Sequence, residues 1–171
     1  FTLMFAMPFS AATTTVSQRI ATGLDSFALL AIPFFILSGQ IMSKGGIAHR
    51  LISFAKTLVG FLPGGLALIN IVSAMLMGAI AGSAMASASA MGTILGPEME
   101  KEGYSKEFGA AVNITSSTTG LVIPPSNTLI VYSLASGGVS IAALFLAGYI
   151  PGILTGLFMM IVSVIWAKKH N

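Results

Sequence analysis

Residues 108–167 contain no Asp, Glu, His, Lys or Arg, and neither do residues 63–97. Charge is confined to short clusters between long uncharged blocks. Overall 55% of the residues are hydrophobic and 8% are charged, against roughly 25% charged in an average soluble domain. Five acidic and eight basic residues cannot give a chain of 171 residues a water-soluble surface. Apolar blocks joined by short charged connections are how bilayer-spanning chains are written. The expected fold class is an all-α integral membrane protein with a lipid bilayer as its main solvent.

Several function classes drop out. The net charge of +3 comes with no basic residue inside an apolar block and no aromatic-basic interleaving, so no nucleic-acid partner is expected. The chain has no Cys, which removes disulfides, thiol nucleophiles and Cys-type zinc sites. There is no Gly-x-x-x-x-Gly-Lys loop for ATP phosphates and no His-Glu-x-x-His zinc motif. Asp25, His49 and His170 lie in separate connections, so a Ser/His/Asp set cannot form and neither an enzyme nor an organic cofactor is expected. Both histidines read as ordinary solvated side chains.

Along the chain, residues 1–16 read as the end of a span without the basic start of a signal peptide. With no Met at its start, the chain is expected to be a fragment. Residues 19–25 form a polar connection, and 26–42 a second apolar block kinked at Pro33. In 44–61, Lys44, Arg50 and Lys56 alternate with Ile47, Leu51, Ile52, Phe54 and Leu58 at helical spacing, as in a helix lying in the membrane interface.

Residues 64–81 would make a helix about 27 Å long, whereas 88–99 give only about 18 Å. The second piece is too short for a core about 30 Å thick. The region 64–99 is therefore expected to be a re-entrant helical hairpin with its tip at Gly82-Ser83-Ala84-Met85-Ala86-Ser87. A solvated connection follows, holding Glu98, Glu100, Glu102 and Glu107. The span 105–136 reads as one crossing helix broken at Gly120-Leu121-Val122-Ile123-Pro124-Pro125, and 141–167 as a last span closed by Lys168 and Lys169. The expected division is 1–61 as scaffold spans plus an interfacial arm helix, 62–136 as a transport part, and 137–171 as the final span. This arrangement puts every basic residue except Arg19 on one side, which the positive-inside rule makes cytoplasmic.

The two unwound points, residues 82–87 and 120–127, follow helices of comparable length and are expected to meet near the membrane midplane. A broken helix leaves unpaired carbonyls at one end, which suit a cation, and unpaired N–H groups at the other, which suit an anion. Ser83, Ser87, Ser116, Ser117, Thr118, Ser126 and Asn127 supply neutral side-chain oxygens nearby. With no titratable group in these blocks a proton relay is absent, and sodium is the expected coupling ion. Against this, Ser and Thr in membrane helices commonly bond back to their own helix. Small residues at four-residue spacing, Gly78/Gly82/Ala86/Ala90, Gly92/Gly96 and Gly148/Gly152/Gly156, are expected to serve close helix packing. Asn113-Ile114-Thr115 matches the glycosylation pattern but lies in an apolar helix, out of reach of the modifying enzyme.

The segments SFALLAIPFFILSGQIM at 26–42, GGIAHRL at 45–51, GGLALINI at 64–71, IPPSN at 123–127 and LFLAGYIPGIL at 144–154 together resemble the large membrane subunit of tripartite ATP-independent periplasmic (TRAP) transporters, over almost the whole chain. The resemblance implies a multi-pass protein of the bacterial inner membrane. It implies sodium-driven uptake of a small organic acid, such as a C4-dicarboxylate or sialic acid, delivered by a periplasmic substrate-binding protein. It also implies a small four-helix membrane subunit as partner and a second half of the same subunit, the chain being the first of two inverted repeats of an elevator-type carrier. The tip at 82–87 and the break at 120–127 match the family's first sodium-site region; Gly82, Ser83, Ser87, Gly120, Val122 and Pro125 are the expected sodium ligands, and Ser116, Ser117, Thr118, Ser126 and Asn127 the expected solute-binding residues. Members often carry an acidic residue after the Gly-Ser of the tip, where this chain has Ser87. Ser-Asn-Thr at 126–128 also resembles the tip motif of divalent anion/sodium symporters, a carrier class without a binding protein. A non-transporting membrane scaffold, with the small residues serving packing alone, is the other reading.

Overall fold

A computed structural model describes residues 7–25 and 27–170. The described residues form eight α-helices and a short 3₁₀ turn, without a strand: α1 (Phe9–Leu24), α2 (Phe27–Lys44), α3 (Ile47–Val59), α4 (Gly65–Ala81), α5 (Ala84–Lys101), α6 (Lys106–Ser117), the 3₁₀ turn (Thr118–Leu121), α7 (Asn127–Ala135) and α8 (Ile141–His170). The expected span end at 1–16 falls partly on residues 1–6, outside the described residues. Where a polar connection is expected at 19–25, α1 runs on to Leu24. Thr13, Thr14, Thr15 and Thr22 each return a hydroxyl to the preceding turn, which lets polar residues stay helical.

α4 is the central element. Apart from Asn70, its sequence GLALINIVSAMLMGAIA is apolar or small all round, and a helix of that kind is buried. Leu68, Ile71, Ala74 and Met77 are at most 1% exposed, with α3, α5, α6 and α8 packed around them. Lipid is as apolar as leucine, so in a bilayer such helices are held by close packing of small residues more than by apolar burial. α8 is the opposite case. Ile141–Lys169 is long and apolar enough to cross a membrane, with mean hydropathy 2.1 and few buried positions. Leu146, Ile150, Phe158 and Val162 are all more than 60% exposed.

α4 and α5 make a helical hairpin whose turn is shorter than expected. Only Gly82 and Ser83 are non-helical. Gly82 ends α4 in the left-handed region at φ 60, its N–H bonded to Gly78 O at 2.7 Å. Ser83, extended, starts α5 by accepting the Ala86 N–H at 3.4 Å. α5 therefore has 18 residues, about 27 Å, and the expectation of a short second arm fails: a serine cap recruits residues 84–87 into the helix. What makes the hairpin is the fold-back, seen where the Ser87 hydroxyl donates to Ala74 O at 3.0 Å.

The second break also sits differently. α6 ends at Ser117 and tightens into the 3₁₀ turn, so the irregular backbone is confined to residues 122–126. Pro124 and Pro125, joined by a cis bond, cannot donate backbone hydrogen bonds and keep the helix open there. Ser126 restarts it as the cap of α7, accepting the Leu129 N–H at 3.3 Å.

A candidate ion and solute site where two helix breaks meet

Four helix ends converge at one place: the last turn of α4, the first turn of α5, the 3₁₀ end of α6 and the start of α7. The contact between them is backbone on backbone. A Cβ placed on Gly120 would stand 2.8 Å from the Gly78 Cα and 3.6 Å from the Ser83 carbonyl carbon. A Cβ on Gly82 would stand 2.8 Å from the Pro125 carbonyl oxygen and 3.6 Å from Asn127 Cγ. The Asn127 N–H points at Gly82 O across 3.4 Å, a long hydrogen bond. No side chain larger than hydrogen fits at 78, 82 or 120, which is why the stripes of small residues are there.

The junction holds Gly82, Ser83, Gly120, Pro125 and Asn127 of the expected site residues. Its least satisfied atom is Asn127 Oδ1, buried and without a hydrogen-bond partner among the described residues. A buried polar oxygen left unpaired costs about 1–3 kcal/mol. C-terminal helix ends bring carbonyl oxygens to this spot and N-terminal ends bring N–H groups, with opposite partial charge. The described residues include no cluster of three His, Cys, Asp or Glu suited to a metal ion, and the oxygens they bring to the junction are neutral.

The other expected residues stand further back. Ser87 is fully buried and its proton is committed to α4. The Val122 carbonyl abuts Gly148 of α8. Ser116 and Ser117 donate to Asn113 O at 3.2 and 2.7 Å, and exposed Thr118 to Thr115 O at 2.6 Å. Ser126 donates to Leu121 O at 2.6 Å. A hydroxyl that donates its proton keeps oxygen lone pairs, but these hydroxyls are first of all ties within the α6–α7 region.

Asn113, expected only as an unusable glycosylation pattern, joins the two broken elements. Its Nδ2 donates to Ala88 O at 2.9 Å, and Gly92 lies so close that a Cβ there would be 2.7 Å from that nitrogen. The signal was an amide in an apolar helix opposite a glycine. Asn70 and Ser73 of α4, both at most 1% exposed and carrying unpaired oxygens, were not singled out by the sequence.

The family profile described as "Tripartite ATP-independent periplasmic transporter, DctM component" matches residues 1–171. The chain belongs to the DctM family. It is 58% identical over 171 residues to the uncharacterized protein YgiK of Salmonella typhimurium, covering all of this chain and 39% of that protein. It is 46% identical over 145 residues to the C4-dicarboxylate TRAP transporter large permease protein DctM of Vibrio cholerae, 85% of this chain and 32% of the relative. It is 44% identical over 156 residues to the isethionate TRAP transporter permease protein DctMQ of Oleidesulfovibrio alaskensis, 91% of this chain and 24% of the relative. The chain thus spans well under half the length of these relatives. DctM proteins are membrane permeases of transporters, not enzymes, and the large-permease reading of the five sequence segments is correct.

Proposed function

We propose that the chain is the first repeat of a secondary carrier that takes up a small organic acid against its gradient by coupling to sodium. The observation that carries the reading is the unpaired Asn127 Oδ1 at the meeting point of the two breaks. Sodium would enter among Asn127 Oδ1, the Ser83 hydroxyl oxygen and the carbonyls of Gly82, Gly120 and Pro125, a set of neutral hard oxygens of the kind such cations accept. Filling that place would satisfy the orphaned oxygen. The positive ends of α5 and α7, at Ser83 and Ser126, would then face the anionic group of the solute.

In this reading the α4–α5 hairpin is re-entrant, the α6–α7 element crosses the bilayer as one interrupted helix, and the transport part moves against α2 and α3 as an elevator. The setting is the bacterial inner membrane, with a periplasmic binding protein, a small membrane subunit and the rest of the permease as partners. The relatives named for C4-dicarboxylate and isethionate support an organic anion as cargo. A carrier working without a binding protein, as in divalent anion/sodium symporters, shares the Ser-Asn-Thr feature.

The test is uptake by the complete transporter in vesicles with sodium replaced by potassium or choline. Uptake should need sodium at either pH 6 or pH 8, because none of the described residues at the junction is titratable. Equal rates without sodium would overturn the coupling.

A further inference from the structure

Beside the junction a groove of about 590 Å³ opens between α2, α3 and the outer face of α5. That volume falls within the roughly 300–1,000 Å³ typical of small-molecule sites. It exists because α2 presses on the last turn of α4: a Cβ on Gly39 would stand 3.0 Å from the Ala81 Cα. The next residue, Gln40, is thereby held beside the hairpin tip. Gln40 and His49 face the groove from one wall, and Ser83, Ser89 and Thr93 from the other.

The chemistry of the lining is one-sided. No Asp or Glu borders the groove, so an anion meets no repulsion there. The Gln40 amide, the His49 ring and the Ser89 hydroxyl are donors whose side chains make no hydrogen bond with the described residues. The Thr93 proton is already given to Ser89 O at 2.7 Å. The capped start of α5 adds its positive dipole end at Ser83. Ser83 belongs to groove and junction alike, so an anion in the groove and a cation in the junction would lie on opposite sides of one helix turn.

We infer that this groove receives the carried organic anion, with Gln40 and His49 donating to its carboxylate or sulfonate oxygens from the α2–α3 wall and Ser89 from the α5 wall. This rests on the carrier reading above and adds to it a solute-binding wall outside the two breaks. His49 and Gln40 then determine affinity for the solute, while sodium binding is left to the junction.

Single cysteines replace Ser89 and, as a control, Lys101 in the full-length permease with its partners. Labelling by a membrane-impermeant maleimide is followed in open membrane fragments containing sodium, without solute and with succinate, isethionate or N-acetylneuraminate. At least one anion should slow labelling of S89C severalfold while K101C labels at one rate throughout. S89C that never labels means that the remaining polypeptide fills the groove, and S89C labelling alike under every condition means that no anion binds there; either overturns the inference. In uptake, Q40A and H49A should raise KM for the solute about tenfold or more, the worth of a hydrogen bond to a charged group, with the sodium requirement unchanged. Sodium-driven uptake with unaltered KM in both variants would sink the groove and leave the carrier reading standing, whereas sodium-independent uptake would sink the carrier reading itself.

Discussion

Gly78 and Gly120 lie backbone against backbone, so close that a Cβ on Gly120 would reach to 2.8 Å from the Gly78 Cα. Two interrupted helices far apart in sequence are thereby locked at one level, and everything proposed for sodium depends on that contact. The neighbouring contacts repeat the device: Gly148 lies against Val122, Gly152 against Ile123 and Gly156 against Met75. A row of glycines on α8 thus seats the second break and α4.

Replacing Gly78 or Gly120 with Ala is therefore expected to push the breaks apart. The obstacle is backbone and cannot rotate away, so overpacking of about 1–3 kcal/mol follows. The variants should still insert into the membrane but lose most uptake. Gly96, with nothing within 4 Å of its Cβ position, is the control: G96A should transport normally. Uptake normalised to the amount of permease in the membrane measures both.

Ser87 offers a sharper discrimination, because the sequence placed it among sodium ligands while its hydroxyl is hydrogen-bonded across the hairpin to Ala74 O. Ser87→Ala should lower stability by about 1 kcal/mol, the usual net worth of one such bond. The sodium concentration for half-maximal uptake should stay within a factor of two. Thermal unfolding in detergent and a sodium titration of uptake measure the two effects separately.

Tyr104, in the connection between α5 and α6, stacks on Phe108 at 5.9 Å and near Trp166 at 6.3 Å. Burial, with a smaller contribution from the Glu102 charge, raises its pKa above the ordinary 10.0. The unfolded chain therefore ionises this phenol first as pH rises. Its contribution to stability is whole below about pH 10 and declines as pH climbs through the raised folded value. Tyr104→Phe should remove that alkaline loss, read by unfolding midpoints between pH 8 and 11 and by phenolate absorbance.

The sequence made much of this legible, for identifiable reasons. Charge-free blocks announced a membrane chain, and the Gly82-Ser83 and Pro124-Pro125 pairs marked two places where helices stop. Boundaries were harder. Ser83 and Ser126 act as caps, and a cap turns residues beyond a glycine or proline back into helix, so the irregular stretches shrank to two and five residues. Hydroxyl direction was legible only as a general habit: Ser116, Ser117 and Thr118, expected on the solute side, each follow the tendency of membrane-helix hydroxyls to bond back to the preceding turn. Nor could spacing reveal that α2 would bring Gln40 beside His49, since that depends on Gly39 meeting Ala81, about forty residues away. Asn127 was recognisable from its position after a proline pair, but only packing could leave its oxygen buried and unpaired.

The most direct measurement is a sodium titration of initial uptake by the complete transporter, wild type against Asn127→Ala, at saturating solute. Losing one oxygen from a cation site should raise the half-maximal sodium concentration at least tenfold, about 1.4 kcal/mol or more, with protein levels unchanged. An identical sodium dependence in the two proteins would mean that no sodium binds where the breaks meet.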